Sequence, residues 1–266
     1  MAIVTKYRNG VPNWVDVSAP DLEVAARFYS ELFGWTAHDQ GPDAGHYHMF
    51  TLGDQNVAGL GPQMNPDAPP SWSTYLAVDD LDATLAAMAA AGGNVLAPRM
   101  DIFTSGSMAI ATDPSGAPVS FWQAGEHIGC QRVNEVNTLV WNELTTRDVP
   151  AAAAFYGSVV GHRYTPNDPD APAGYQLIGV GDRMVGGVMP MEGEMWGDLP
   201  SHWMPYFAVD DADATAARAQ ELGGGVAVDP TDIPAGRFVV LTDPAGAVFT
   251  AITMAGELEE PPDGVV

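Results

Sequence analysis

The chain carries the same sequence signals twice. An internal repeat of this length constrains the fold more than any other feature, because each copy must form the same unit and bury the same face. Trp14-Val15-Asp16-Val17-Ser18 returns as Trp141-Asn142-Glu143-Leu144-Thr145, and Phe28-Tyr29 returns as Phe155-Tyr156, both 127 residues later. Gly34 matches Gly161 at the same spacing. Farther along the spacing drifts: residues 75–80 match 206–211, and Thr112-Asp113-Pro114-Ser115-Gly116 matches Thr242-Asp243-Pro244-Ala245-Gly246. Two modules follow, at 8–125 and 135–256, joined by a linker at 126–134. The acidic, Pro-rich tail at 257–266 suits a loosely ordered end.

Each module divides again into two units with one order of elements. In the first unit, alternation predicts a strand over 13–18 and a helix over 22–33 with Leu22, Ala25, Phe28, Tyr29 and Leu32 on one face. Gly34 is its expected stop. Short strands should follow around 47–52 and 57–60. In the second unit, 73–78 reads as a strand and 81–91 as a helix ending at Gly92-Gly93. Residues 108–112 and 119–122 read as a hairpin closed by Asp-Pro-Ser-Gly, with Pro at the second turn position and a glycine able to take positive φ.

Ten basic residues against 34 acidic ones give a formal charge of −24, a field that repels phosphate backbones and anionic lipid surfaces. Nucleic acid and membranes are therefore not expected as partners, and the excess acid reads as a solubility or salt-adaptation feature. No apolar run approaches the roughly 20 residues that span a bilayer. The start, MAIVTKYRNG, lacks the apolar core of a secretory signal, and the single cysteine, Cys130, can close no intrachain disulfide. A cytoplasmic monomer or homodimer is expected.

The order strand, helix, three strands, met four times with Phe-Tyr on the first helix and Asp-Pro-x-Gly before the last strand, resembles the vicinal oxygen chelate (VOC) superfamily. That group includes glyoxalases, extradiol dioxygenases and the fosfomycin- and bleomycin-resistance proteins. The resemblance covers nearly the whole chain. It implies an α+β fold of two tandem modules, each built from two βαβββ units that form a curved eight-stranded half-barrel around a ligand cup. It implies little about chemistry, because the fold hosts lyases, oxygenases, epimerases and pure binders.

Metal-dependent members of this superfamily place one ligand on the first strand of each unit and one on the last. Counted from the motifs, these positions fall on Trp14 and Trp141, Ser73 and Met204, and Ser120 and Thr250, with the remaining one near Gly59-Leu60 and Gly187-Val188. None offers the imidazole or carboxylate that a catalytic divalent ion wants, so neither a metal nor another cofactor is expected. His46 and His48 stand two apart on one strand face and could chelate, but the second module carries Gly174 and Gln176 there. The pair reads instead as a solvated face or, at His48, as one ligand hydrogen bond. His202 reads as a rim residue, and His38, His127 and His162 as turn or linker residues.

If Trp14 faces the cup, alternation turns Asp16 and Ser18 inward too, with Trp141, Glu143 and Thr145 in the second module. Tyr75 and Tyr206 follow on the parity of Ser73 and Met204, and the last strands add Trp122 and Ile252. Ligand contacts are thus expected from Trp14, His48, Tyr75, Trp122, Trp141, Met204 and Tyr206, with Asp16 and Glu143 as inward carboxylates able to serve as general bases. Such walls suit a hydrophobic or aromatic small molecule. One reading is a metal-independent binder that sequesters or carries it, as the resistance branch does. The other is a glyoxalase-like lyase, a hydroxylase or an isomerase that moves a proton with Asp16 or Glu143. An extradiol dioxygenase would need two His and a carboxylate for iron, a set these positions do not assemble.

Overall fold

Four helices open on an aspartate whose carboxylate takes up backbone N–H groups that the first turn leaves without partners. Asp21 accepts from Glu23 N and Val24 N at 3.1 and 3.0 Å, and Asp80, Asp148 and Asp211 each accept from the N–H three residues on at 2.9 Å. Gly34 and Gly161 end the first and third helices in the left-handed region, at φ +71° and +77°, where a side chain would be strained.

The computed structural model describes residues 3–166, 172–258 and 264–266. The first half runs β1 (Pro12–Ala19), α1 (Leu22–Phe33), β2 (Thr36–Asp39), β3 (His48–Leu52), β4 (Gln55–Pro62), β5 (Ser71–Ala77), α2 (Leu81–Ala90), β6 (Asn94–Ile102), β7 (Gly106–Thr112) and β8 (Pro118–Ala124). The second runs β9 (Leu139–Thr146), α3 (Val149–Val160), β10 (Arg163–Pro166), β11 (Gln176–Val180), β12 (Arg183–Pro190), β13 (His202–Ala208), α4 (Ala212–Glu221), β14 (Gly225–Ile233), β15 (Gly236–Thr242) and β16 (Val248–Met254). Each half forms one eight-stranded mixed sheet, in the orders β2-β3-β4-β1-β5-β8-β7-β6 and β10-β11-β12-β9-β13-β16-β15-β14. The central pairs β1–β5 and β9–β13 are antiparallel, and β1–β4 and β5–β8 are parallel, as are β12–β9 and β13–β16. This is the four-unit βαβββ plan expected from the repeat. The second strand of each second unit, β6 or β14, is largely exposed and carries no alternation that marked it in advance.

The helices fill the space behind the sheets, and they do so crosswise. Phe28, Tyr29 and Phe33 of α1 share a buried cluster with Phe207 of β13, Ala212 and Ala216 of α4 and Phe249 of β16. Phe155, Tyr156 and Val160 of α3 cluster with Leu81 and Met88 of α2 and with Phe121 of β8. Glycines make this close approach possible. A Cβ on Gly93 would stand 2.7 Å from the Phe155 ring, and one on Gly224 would stand 2.9 Å from Phe28. The Tyr29 hydroxyl donates to Asp243 Oδ2 at 3.0 Å while accepting from Trp72 Nε1 at 3.0 Å, so a turn of one half is bonded to the helix of the other. In the second half the equivalent pair repeats this bond, Trp203 Nε1 donating to Tyr156 OH at 2.9 Å.

The connecting segments are packed, where a loosely ordered end was the expectation for the tail. The linker is packed into the first half: Cys130 is fully buried, its N–H donates to Asn13 O at 2.7 Å, and Asn13 Nδ2 donates to Ile128 O at 2.9 Å. The tail also returns. Thr5 N donates to Gly264 O at 2.7 Å and Arg8 N to Val266 O at 2.8 Å, which ties the last residues to the first ones; residues 259–263 lie outside the described set. Among the described residues no helix is long and apolar enough to cross a membrane.

Candidate functional site

Strand register decides which side chains share the face opposite the helices. Asp16 lies across from Gly59 on β4 and Ser73 on β5, Trp14 lies across from Tyr75, and Tyr75 from Ser120. In the second half Glu143 lies across from Gly187 and Met204, and Tyr206 across from Trp141 and Thr250. The inward set expected from alternation is therefore assembled on one face in both halves.

Around each carboxylate the same hydrogen-bonded cluster recurs. Asp16 Oδ2 accepts from Tyr75 OH at 2.8 Å and from Tyr47 OH at 3.1 Å, and the Tyr47 hydroxyl accepts from Trp14 Nε1 at 3.0 Å. Glu143 Oε1 accepts from Tyr206 OH at 3.0 Å, Tyr175 also donates to this carboxylate, and Trp141 Nε1 donates to Tyr175 OH at 3.1 Å. Tyr47 and Tyr175 can reach the carboxylates only because glycine stands beneath them: a Cβ on Gly59 or Gly187 would lie 1.8 Å from the phenol oxygen. Burial raises the Asp16 pKa against the hydrogen bonds of Tyr75, Tyr47 and Ser73. It pushes Glu143 up to about 7, against the bonds of Tyr206 and Tyr175. The phenols are held protonated by burial and by the neighbouring carboxylates.

The divalent ion implied by the VOC resemblance does not fit these residues. The positions that would hold it carry Trp14, Gly59, Ser73 and Ser120 in one half and Trp141, Gly187, Met204 and Thr250 in the other. What remains is a single carboxylate already occupied by phenols that keep their protons, a poor donor set beside the several oxygens or imidazoles such an ion takes. Among the described residues no group of three or more His, Cys, Asp or Glu side chains is placed to hold a metal. The chemistry open to the cluster is that of a desolvated carboxylate and its phenols: accepting, holding or returning a proton, and hydrogen bonding to a polar group on a ligand.

One expected contact is corrected. His48 lies across from Leu60 and Asp39, on the parity of buried Val17 and so on the face away from Asp16. Its ring Nδ1 sits 2.7 Å from His46 O, and His46 pairs with Asp39 at 2.9 Å. The inward residue is its neighbour Tyr47. The signal was available in the sequence, because Tyr47 and Tyr175 repeat at the same spacing as Gly59 and Gly187, 128 residues.

The halves differ in how their first tryptophan is covered. In the first, His127 from the linker packs its ring edge-on against Trp14, centroids 4.5 Å apart, and lies 5.6 Å from Trp122, whose Nε1 donates to His127 O at 2.8 Å. Trp14 is only 3% exposed and Trp122 5%. Burial lowers the His127 pKa to about 4, so this linker residue is a neutral filler. In the second half Trp141, Tyr175, Met204 and Tyr206 all stay partly exposed, and Ile252 takes the place of Trp122. His162, read from the sequence as a turn residue, is buried with Nε2 2.7 Å from Gly10 O and serves the packing.

Comparison with known proteins agrees with this architecture. The family model described as "Glyoxalase/Bleomycin resistance protein/Dioxygenase superfamily" matches residues 12–121, and one described as "Glyoxalase-like domain" matches residues 140–252. "Putative glyoxylase CFP32" of Mycobacterium tuberculosis is 47% identical over 261 residues, covering 94% of this chain and 97% of that protein. "Anthracycline biosynthesis protein DnrV" of Streptomyces peucetius is 35% identical over 273 residues, covering 94% and 96%. The solved Mn(II)-bound glyoxalase from Novosphingobium aromaticivorans shares the fold, with a TM-score of 0.66 at 17% identity, covering 95% of this chain and 84% of that one.

Proposed function

The chain belongs to the glyoxalase, bleomycin resistance protein and dioxygenase superfamily, and from that premise we propose that it binds an apolar, aromatic small molecule in a cup centred on a tyrosine-held carboxylate instead of a metal. The observation that carries this reading is the double occurrence of one cluster, Trp14-Tyr47-Asp16-Tyr75 and Trp141-Tyr175-Glu143-Tyr206, on the inward faces of both sheets. Indole and phenol rings supply apolar area, and the carboxylate with its hydroxyls orients a polar substituent. A relative whose name ties it to anthracycline biosynthesis is in keeping with a fused-ring ligand. The test is a titration with 1,8-dihydroxyanthraquinone followed by tryptophan fluorescence. Saturable quenching should weaken at least about fivefold in Trp141→Ala or Tyr206→Leu, the size expected from losing about 1 kcal/mol of ring contact beyond area burial. Unchanged affinity in both variants would contradict the reading.

A second reading is favoured by the Glu143 pKa of about 7, which suits a group that must accept and return protons near neutrality. On that reading the protein is an enzyme, a lyase, hydroxylase or isomerase, and Glu143 is the base. Glu143→Gln separates the two: a binder keeps its affinity, whereas an enzyme keeps binding and loses nearly all turnover.

A further inference from the structure

A cavity of about 460 Å³ opens at the end of the second sheet where β9 and β12 begin and β16 ends, walled by Val140, Trp141, Met184, Val185, Met254 and Glu257 among others. The repeat shows what stands at this place in the first half. Asn13, Trp14 and Val57 correspond to Val140, Trp141 and Val185 at spacings of 127, 127 and 128, and His127 corresponds to Glu257 at 130, the spacing of the two Asp-Pro-x-Gly turns. In the first half all of these are covered by the linker. His127 stacks edge-on against Trp14, Asn13 Nδ2 donates to Ile128 O, and Cys130 Sγ donates to Val57 O at 3.0 Å. An aromatic ring and its aliphatic neighbours therefore already occupy the first copy of the position, and the chain itself supplies them.

We propose that the working small-molecule site is single and lies in the second module, with an uncharged ring-bearing ligand seated against Trp141 where the first module seats its own His127. This rests on the reading of a ring-binding cup and assigns it to one module and one end. The cavity is of a size usual for small-ligand sites. Its wall is largely indole, thioether and aliphatic, with Asp182, Arg183 and Glu257 on its polar side; two carboxylates against one guanidinium, together with the net charge of −24, disfavour anions. Trp141 joins the cavity to the carboxylate, since its Nε1 donates to Tyr175, which bonds Glu143. A ring resting on Trp141 is thus two hydrogen bonds from the proton-holding group.

Fluorescence titration of the full-length chain with Nile red, a neutral fused-ring dye, tests this. One saturable site per chain is expected. Met254→Trp, which fills the cavity, and Met184→Glu, which places a charge on its wall from a position 47% exposed and so harmless to folding, should each weaken it at least tenfold. Binding unchanged in both variants, a stoichiometry of two, or no saturable binding at all overturns the proposal. Binding lost in Tyr75→Leu but kept in both cavity variants would put the ring in the first cup, which overturns this assignment and leaves the ring-binding reading standing.

Discussion

At the scale of single residues, the carboxylate at position 143 makes the sharpest prediction. Its ordinary pKa of 4.5 is pushed up to about 7 by burial, and its side chain belongs to a residue only 7% exposed. An acid whose folded pKa is raised favours the fold in its neutral form, so this stabilisation is complete below about pH 4.5 and is lost as pH rises through 7. A shift of that size corresponds to about 3 kcal/mol. In urea unfolding, Glu143→Gln should match the parent near pH 4 and exceed it by up to that amount at pH 8; a constant difference across the range would mean that Glu143 ionises freely. The glycines beneath the phenols make a second prediction. Gly59→Ala and Gly187→Ala must expel Tyr47 and Tyr175, because the added carbon would overlap the hydroxyl. Each variant should fold but shift tryptophan emission, as the indole N–H of Trp14 or Trp141 loses its acceptor. Most of this site was legible in the sequence. Asp16, Glu143, Tyr75 and Tyr206 follow from alternation once the resemblance turns Trp14 toward the cup, whereas Tyr47, the inward neighbour of His48, lies one residue before β3. Parity counted from a strand end fails by one whenever the end is misjudged, and one residue reverses the face.

At the scale of elements, the helices were legible because their caps are chemical. Asp21 and Gly34 bracket α1 exactly where the periodicity placed it, and the Asp-Pro-x-Gly turn does the same for the β7–β8 and β15–β16 hairpins. In that turn Asp113 Oδ1 accepts from Ser115 N and Ala117 N at 2.8 and 3.0 Å, and Asp243 repeats the pattern. What sequence could not reveal is that Asp243 also receives the Tyr29 hydroxyl from the other half, since nothing local specifies a partner 214 residues away. Tyr29→Phe leaves Trp72 Nε1 and Asp243 Oδ2 buried with one partner fewer each. It should cost about 2 to 4 kcal/mol, read as a lowered urea midpoint at unchanged slope.

At the scale of the whole molecule, the crosswise packing makes each half the other's core. Separated at residue 134, the first half would expose Phe28, Tyr29 and Phe33, and the second would expose Phe207 and Phe249. Each fragment alone should therefore lack a cooperative thermal transition, and mixing the two should restore one; two fragments that melt cooperatively on their own would contradict this. The larger claim is that the chain keeps the superfamily's fold but has replaced its metal site with two carboxylate–tyrosine clusters. Calorimetric titration of the purified, chelator-treated chain with Mn(II), Zn(II), Ni(II) and Fe(II) tests that claim most directly. The account predicts no saturable binding of any of them near one or two ions per chain; stoichiometric binding that disappears in Asp16→Asn and Glu143→Gln would contradict it.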